Sequence, residues 1–191
     1  MAEFFDELSG DHCDFITRQP VFFVATGAPT GRVNLSPKGY DVLRILGPKQ
    51  VAYLDLAGSG NETHAHLAVD DRITLMLCNF EQPALILRIY GRGRAVLPQD
   101  DNWADLAAHF TILPGTRQIF VIDVDQVQTS CGYGVPFMSY ERERDTLVKY
   151  HGRSDPVEWV AKQQGRNRSI DGLPVRTTDR YLAGDQGTNA D

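Results

Sequence analysis

The chain has 191 residues, 42% of them apolar and 23% charged, and a formal net charge of −6. That length fits one domain with a full hydrophobic core, and the negative charge argues against a nucleic-acid duplex or a membrane surface as partner, because both are polyanions. Cys13, Cys78 and Cys131 lie far apart with no CxxC pair, which favours a reducing compartment and hence the cytoplasm.

The opening stretch MAEFFDELSG is acidic and amphipathic, without the basic and apolar regions of a signal peptide. No apolar run approaches the roughly 18 residues that span a bilayer. Phe4, Phe5, Leu8, Phe15 and Ile16 recur at near-helical spacing before Pro20, which predicts an opening helix interrupted near Gly10. VFFVAT (21–26) reads as a buried strand, GAPTG (27–31) as a turn and RVNLS (32–36) as an alternating strand, which together make a hairpin. YDVLRIL (40–46) fits a strand or a helix. VAYLDL (51–56) is a strand, followed by the loop AGSG and a short helix over about 62–69. RITLMLC (72–78) and LILRIYGRGRAV (85–96) are strands, and DDNWADLAAHF (100–110) is an amphipathic helix. QIFVIDVDQVQTS (118–130) is a long strand, and SDPVEWVAKQQ (154–164) is a helix with Pro156 in its first turn.

Residues 1–182 then form a single domain, and AGDQGTNAD (183–191) is expected to be a flexible tail, having too little apolar content to order itself. Six strands in mostly hairpin order, with several short flanking helices, predict a mainly β, antiparallel barrel rather than a doubly wound sheet. The dinucleotide fingerprint G-x-G-x-x-G and the P-loop lysine motif are both missing from the sequence.

Three stretches carry candidate chemistry. In RVNLSPKG (32–39), Val33 and Leu35 face one side of a strand, Asn34 and Ser36 the other. Pro37 should interrupt regular pairing, so that Lys38 emerges at the strand end. This is either a solvated hairpin arm or the lining of a site for a planar ligand with a phosphate. In Ser59-Gly60-Asn61-Glu62, the S-x-x-E spacing fits a capping box in which Ser59 caps the helix and Glu62 reaches back. The same glycine-flanked helix start also suits an anion, so cap and cradle compete for the same N–H groups. In ILRIYGRGRAV (86–96), Arg88, Tyr90, Arg92 and Arg94 share one strand face. They form either a positive wall for an anionic ligand or a solvated stripe paired with the acidic surplus, and Gly91 and Gly93 allow a bulge or a close approach. A nucleic acid on this stripe is the remote alternative. His64 and His66 sit at i and i+2, about 200° apart on a helix, which predicts no metal site. Cys131 is expected to be a small packed residue.

Together, VNLSPKG, VAYLDLAGSGNETHAHL, RITLMLC and LRIYGRGRA resemble the flavin-binding split-barrel family related to pyridoxamine 5′-phosphate oxidase, over about residues 18–130. QTSCGYGVPFMSY (128–140) and NRSIDGLP (167–174) look like a subgroup of that family. The resemblance implies a six-stranded split barrel and a homodimer with FMN in a cleft between the subunits. It implies that Val33, Asn34, Leu35 and Ser36 line the flavin, with Lys38 near its ring or phosphate. Ser59, Gly60, Asn61 and Thr63 would sit by the phosphate or ribityl chain, and Arg88 would add a polar contact. The segment around Cys131–Tyr133 would cover the partner's cleft.

Two departures matter. The better-known oxidases carry a Ser-Arg-Lys cluster where this chain has Ser-Gly-Asn-Glu, so the cation must come from Lys38, Arg88 or the Arg92–Arg94 pair. The Arg- and His-bearing C-terminal stretch used for the vitamin B6 substrate is also missing from this sequence. The resemblance therefore implies an FMN-dependent oxidoreductase acting on a small molecule, without nominating a catalytic side chain. The alternative is a non-catalytic flavin-, deazaflavin- or haem-binding protein acting as a sensor or carrier.

Overall fold

A computed structural model of the chain describes residues 2–184. The elements in order are β1 (Glu3–Phe5), α1 (Gly10–Thr17), β2 (Phe22–Gly27), β3 (Val33–Lys38), β4 (Leu43–Gly47), β5 (Gln50–Leu56) and α2 (Glu62–Leu67). They continue with β6 (Arg72–Cys78), β7 (Ile86–Val96), α3 (Trp103–Ala107), β8 (Thr116–Ser130), α4 (Thr146–Gly152) and α5 (Pro156–Gln164). All eight strands join one antiparallel sheet ordered β3-β2-β6-β7-β8-β5-β4, with β1 on the far end of β8. The six predicted strands are present, the stretch 40–46 that fitted a strand or a helix carries the strand β4, and β1 is added. Residues 185–191 of the expected tail lie outside the described residues.

The sheet curls back on itself. β6, β7 and β8 lie between β2 and β5 in the sheet order, yet the rings of Phe22 on β2 and Tyr53 on β5 meet edge to face at 5.6 Å. Lys38 at the end of β3 bonds Asp55 of β5 at 2.8 Å. Contacts between strands so distant in the order require the split-barrel closure that edge-poor antiparallel sheets adopt. The interior is filled by one apolar cluster drawn from both halves of the sheet, including Val24, Leu75, Ile89 and Phe120. β8 is buried on both faces over Ile119–Ile122, as a central strand with cover on each side must be.

Three expectations are corrected. The opening helix does not start at Phe4, because β1 pairs with β8 and Phe4 stands opposite Gln128. The helix begins at Gly10 instead, capped by Ser9, whose hydroxyl accepts from the His12 N–H while the His12 ring accepts from the Ser9 N–H. Two consecutive phenylalanines suit alternation in a strand as well as spacing in a helix, and a cross-strand ladder decided it. Pairing does not fail at Pro37, which lies opposite Phe23, with Lys38 opposite Phe22. β3 is an edge strand, and at alternate positions an edge strand turns its N–H away from its only neighbour, so the imino nitrogen loses no bond there. Ser59 does not cap α2. The N-cap is Asn61, and the Glu62 carboxylate accepts the backbone N–H of Ile170 at 3.2 Å instead of reaching back. α4 had no equivalent among the predicted elements.

α2 lies against the inner face of β2 and β7. Thr26 of β2 bonds the His66 ring at 3.1 Å, and a Cβ on Gly93 of β7 would stand 2.9 Å from Leu67. Glycine at that position lets the helix settle onto the strand.

Candidate functional site

Register divides the predicted site residues between the two faces of the sheet. Directly opposite residues in an antiparallel ladder project to the same face. Pro37 pairs with Phe23, Phe23 with Met76, Met76 with Arg88, and Arg88 with Gln128. The neighbouring row runs Leu35, Ala25, Thr74, Tyr90 and Gln126. Both rows point away from the core, and every member is half-buried or exposed. Val33 and Leu35 are 78% and 65% exposed. This outer face is an apolar edge beside a polar strip. Arg88 donates to the Ser130 hydroxyl at 3.3 Å, and the Tyr90 hydroxyl donates to Gln128 at 2.8 Å.

Asn34, Ser36 and Lys38 alternate to the other side, where Asn34 meets α2. The Asn34 amide donates to the Thr63 hydroxyl at 3.1 Å. Lys38 is held by Asp55, a fully buried carboxylate whose other oxygen accepts from Arg117 at 2.7 Å and from the Gln118 amide at 2.8 Å. Gln118 also donates to the Asn61 side chain at 2.7 Å, and its oxygen faces His64 Nδ1 at 2.8 Å. The Gly60 carbonyl accepts from Arg117 at 2.7 Å. Asn34 and Thr63 form a pair of their own, and Lys38, Gly60 and Asn61 are brought together in one internal network around Asp55. It fastens β3 and α2 to β5 and β8. Burial alone would raise the Asp55 pKa. The Arg117 guanidinium and the Lys38 ammonium, with hydrogen bonds from Lys38 and Gln118, outweigh it and hold the carboxyl well below its usual range.

The four candidate cations also separate. Lys38 is neutralised by Asp55. Arg92 pairs with Asp71 and Asp125, and Arg94 with Asp123, so that half of the stripe is a solvated, salt-bridged face. Arg88 has only a neutral hydroxyl among the described residues. The four side chains Arg88, Tyr90, Arg92 and Arg94 do share a face, because the register shift after Tyr90 falls on β8 and leaves the parity of β7 intact. Gly91 sits at that shift, where a Cβ would stand 2.2 Å from the Asp123 carbonyl oxygen.

Ser59 belongs to neither face. With Ala57 and Gly58 it borders a cleft of about 510 Å³ whose other wall is α4 and α5. His64 and His66 diverge, one to Gln118 and the other to Thr26. Cys131 is exposed rather than packed. Asp55, Arg117 and Gln118 were not singled out from the sequence. The signal was there: a carboxylate inside the apolar run YLDL, and Arg-Gln at the head of IFVI, demand partners once buried.

No helix among the described residues is long and apolar enough to cross a membrane. Residues 8–131 match the profile of the family described as pyridoxamine 5′-phosphate oxidase. The pyridoxamine 5′-phosphate oxidase family protein ustO of Aspergillus flavus is 33% identical over 195 residues, covering 91% of this chain and 78% of that protein. Among solved structures, HupZ of Group A Streptococcus superposes with a TM-score of 0.51 at 19% identity, over 63% of this chain and 91% of that one. A point variant of the same protein gives 0.52 at 18% identity, over 64% and 98%. At these identities the likeness to HupZ is one of fold.

Proposed function

The chain belongs to the pyridoxamine 5′-phosphate oxidase family, and from that premise we propose that it is an FMN-dependent oxidoreductase, working as a homodimer with the cofactor between subunits on the outer face of the sheet. The observation that carries the reading is the outer edge of β3. Val33 and Leu35 present apolar surface to solvent on the same face as Arg88, which lies three strands away across β2 and β6 and has no carboxylate partner among the described residues. An edge with exposed apolar side chains fits a planar ring, and a half-buried guanidinium with spare donors fits the anionic or carbonyl edge of a flavin. Arg88 is the cationic donor that this face offers such a ring.

A bound flavin would supply the electron and hydride transfer. The chain's own residues position and shield it. Val33 and Leu35 exclude water from one side of the ring. Arg88 supplies positive charge where a reduced flavin is anionic. Asn34, Lys38, Asn61 and Thr63 act from behind, fixing β3 and the loop before α2 relative to the barrel. A second copy of the chain, packed over the two outward rows, would complete the cleft.

The test is the visible spectrum of the purified protein, before and after adding FMN. Twin flavin bands that bleach with dithionite are expected. A colourless protein that takes up no FMN would sink the reading. Arg88→Ala should weaken FMN binding by about 1.5–3 kcal/mol, the scale of a hydrogen bond to a charged group. Leu35→Glu should weaken it as well and shift the protein toward monomer in sedimentation. Reoxidation kinetics with candidate donors then divide an enzyme from a carrier.

A further inference from the structure

The cleft beside Ala57–Ser59 lies outside the outer face and is not used by the flavin reading. Its far wall is α4 and α5, which follow the residues matched by the family profile. Its volume, about 510 Å³, falls within the range of about 300–1,000 Å³ typical of small-molecule sites.

The charge of the lining is unusual for this chain. Of the nineteen Lys and Arg side chains, eight make no ion pair among the described residues. Three of those eight, Arg153, Lys162 and Arg166, line this one cleft. Two carboxylates share it. Asp155 is held in the α5 cap, accepting from Val157 and Glu158 N–H at 2.9 and 3.0 Å, and with Glu158 it offsets two of the three cations, so the lining keeps a positive excess. In an acidic protein, most cations find carboxylates. A group that does not, gathered around a concavity, is a field aimed at an anion.

The polar groups are also set for one. Arg166 donates one N–H to the Gly58 carbonyl, which fixes the guanidinium at the cleft and leaves its other donors free. Lys162 donates to the Tyr150 hydroxyl at 2.9 Å and lies over the Tyr150 ring at 5.4 Å. The phenol accepts there, so its own O–H remains to donate. Lys162 also draws the Tyr150 pKa down, which makes that O–H a better donor. The floor is rigid: Trp159 donates its indole N–H to His151 Nδ1 at 3.0 Å, and His151 Nε2 donates to the Ala57 carbonyl at 2.8 Å. Aromatic surface with convergent donors suits an organic body carrying an oxyanion.

We propose that the cleft between Ala57–Ser59 and α4–α5 binds a small organic anion, an aromatic or apolar body with a phosphate or carboxylate head met by Arg153, Lys162, Arg166 and the Tyr150 hydroxyl. This site is separate from the flavin face and stands whether or not a flavin binds there.

Calorimetric titration of the purified protein with phenyl phosphate, phenylacetate and inorganic phosphate tests it, with and without excess FMN. Saturable binding of phenyl phosphate or phenylacetate that persists in excess FMN is expected, and the stronger of the two identifies the head group. Lys162→Gln and Arg153→Gln, each checked by its melting temperature, should each weaken that binding roughly 10-fold or more, as loss of a charge-assisted contact does. Arg88→Gln should leave it unchanged. Failure of both organic probes to bind would overturn the proposal. So would binding abolished by FMN, which would place the anion in the cofactor's own seat, or binding that neither cleft variant alters.

Discussion

At the scale of single residues, Asp55 organises the interior. It is the one carboxylate among Lys38, Arg117 and Gln118, and its two oxygens divide between the two cations. Asp55→Asn keeps the shape and removes the charge, leaving two cations facing each other with little water. The expected loss is about 3–5 kcal/mol of stability in urea unfolding, the scale for stranding a buried charge. Lys38→Met should cost less, because Asp55 keeps Arg117. Equal losses in the two variants would mean that the carboxylate does not compensate both cations. The pH dependence has a definite sign. The folded pKa of Asp55 lies below its ordinary value of 3.8, so its contribution is complete above about pH 4 and is lost as the pH falls toward the folded value. Lys38 emerged from the sequence as a candidate ligand of a cofactor. Its role in the network was hidden because its partner stands seventeen positions on, across a barrel closure that no local pattern encodes.

At the scale of elements, local pattern carried far where one force dominated. β6 was legible to the residue, because RITLMLC alternates in burial and ends in turn chemistry. α5 was legible from its Asp155 cap and Pro156. β1 was not, since three residues have no stability of their own and form only because β8 is long enough to pair with β5, then β1, along one edge. α2 was placed correctly but capped wrongly. The S-x-x-E spacing was satisfied in sequence, yet Glu62 found the Ile170 N–H far along the chain, and the helix start shifted to Asn61. The two glycines of β7 show the same division. Both were expected to permit close approach. Gly91 faces backbone, with a Cβ 2.2 Å from the Asp123 carbonyl, while Gly93 faces the Leu67 side chain at 2.9 Å. A backbone carbonyl at a register shift cannot step aside, whereas a leucine changes rotamer. Gly91→Ala should therefore destabilise by about 3 kcal/mol or more and Gly93→Ala by about 1 kcal/mol, within the usual range for overpacking. Chemical denaturation of the two variants decides this, and the reverse order would refute the reading of the bulge.

At the scale of the whole molecule, the C-terminal segment is fastened to the barrel through imidazoles that must stay neutral. His151 accepts from the Trp159 indole and donates to Ala57, which fixes the proton on Nε2. His64 donates to Gln118 and accepts from the Arg176 backbone N–H, which fixes the proton on Nδ1. His12 accepts from the Ser9 N–H at Nδ1, inside the α1 cap. In each ring a second proton would destroy an acceptor. Burial lowers all three pKa values. The hydrogen bonds to Gln118 at His64 and to the Ala57 carbonyl at His151, with Asp55 at His64 and Asp11 at His12, oppose this, while Arg176 and Arg117 push His64 further down and Lys162, Arg117 and Arg166 do so at His151. The unfolded chain takes up protons near the ordinary value of 6.5, and the folded chain does so only at lower pH. Between those values the unfolded state binds more protons, so stability rises with pH through that window and is fully present above it. Unfolding free energy measured in urea should be level from about pH 8 to 7 and then fall steadily below about 6.5, well before Asp55 titrates. His151→Gln should flatten the slope, because glutamine does not titrate. A profile already level down to pH 5 would mean that these rings take up protons as readily folded as unfolded, and the fastening of α4 and α5 to the loop at Ala57 would need another account.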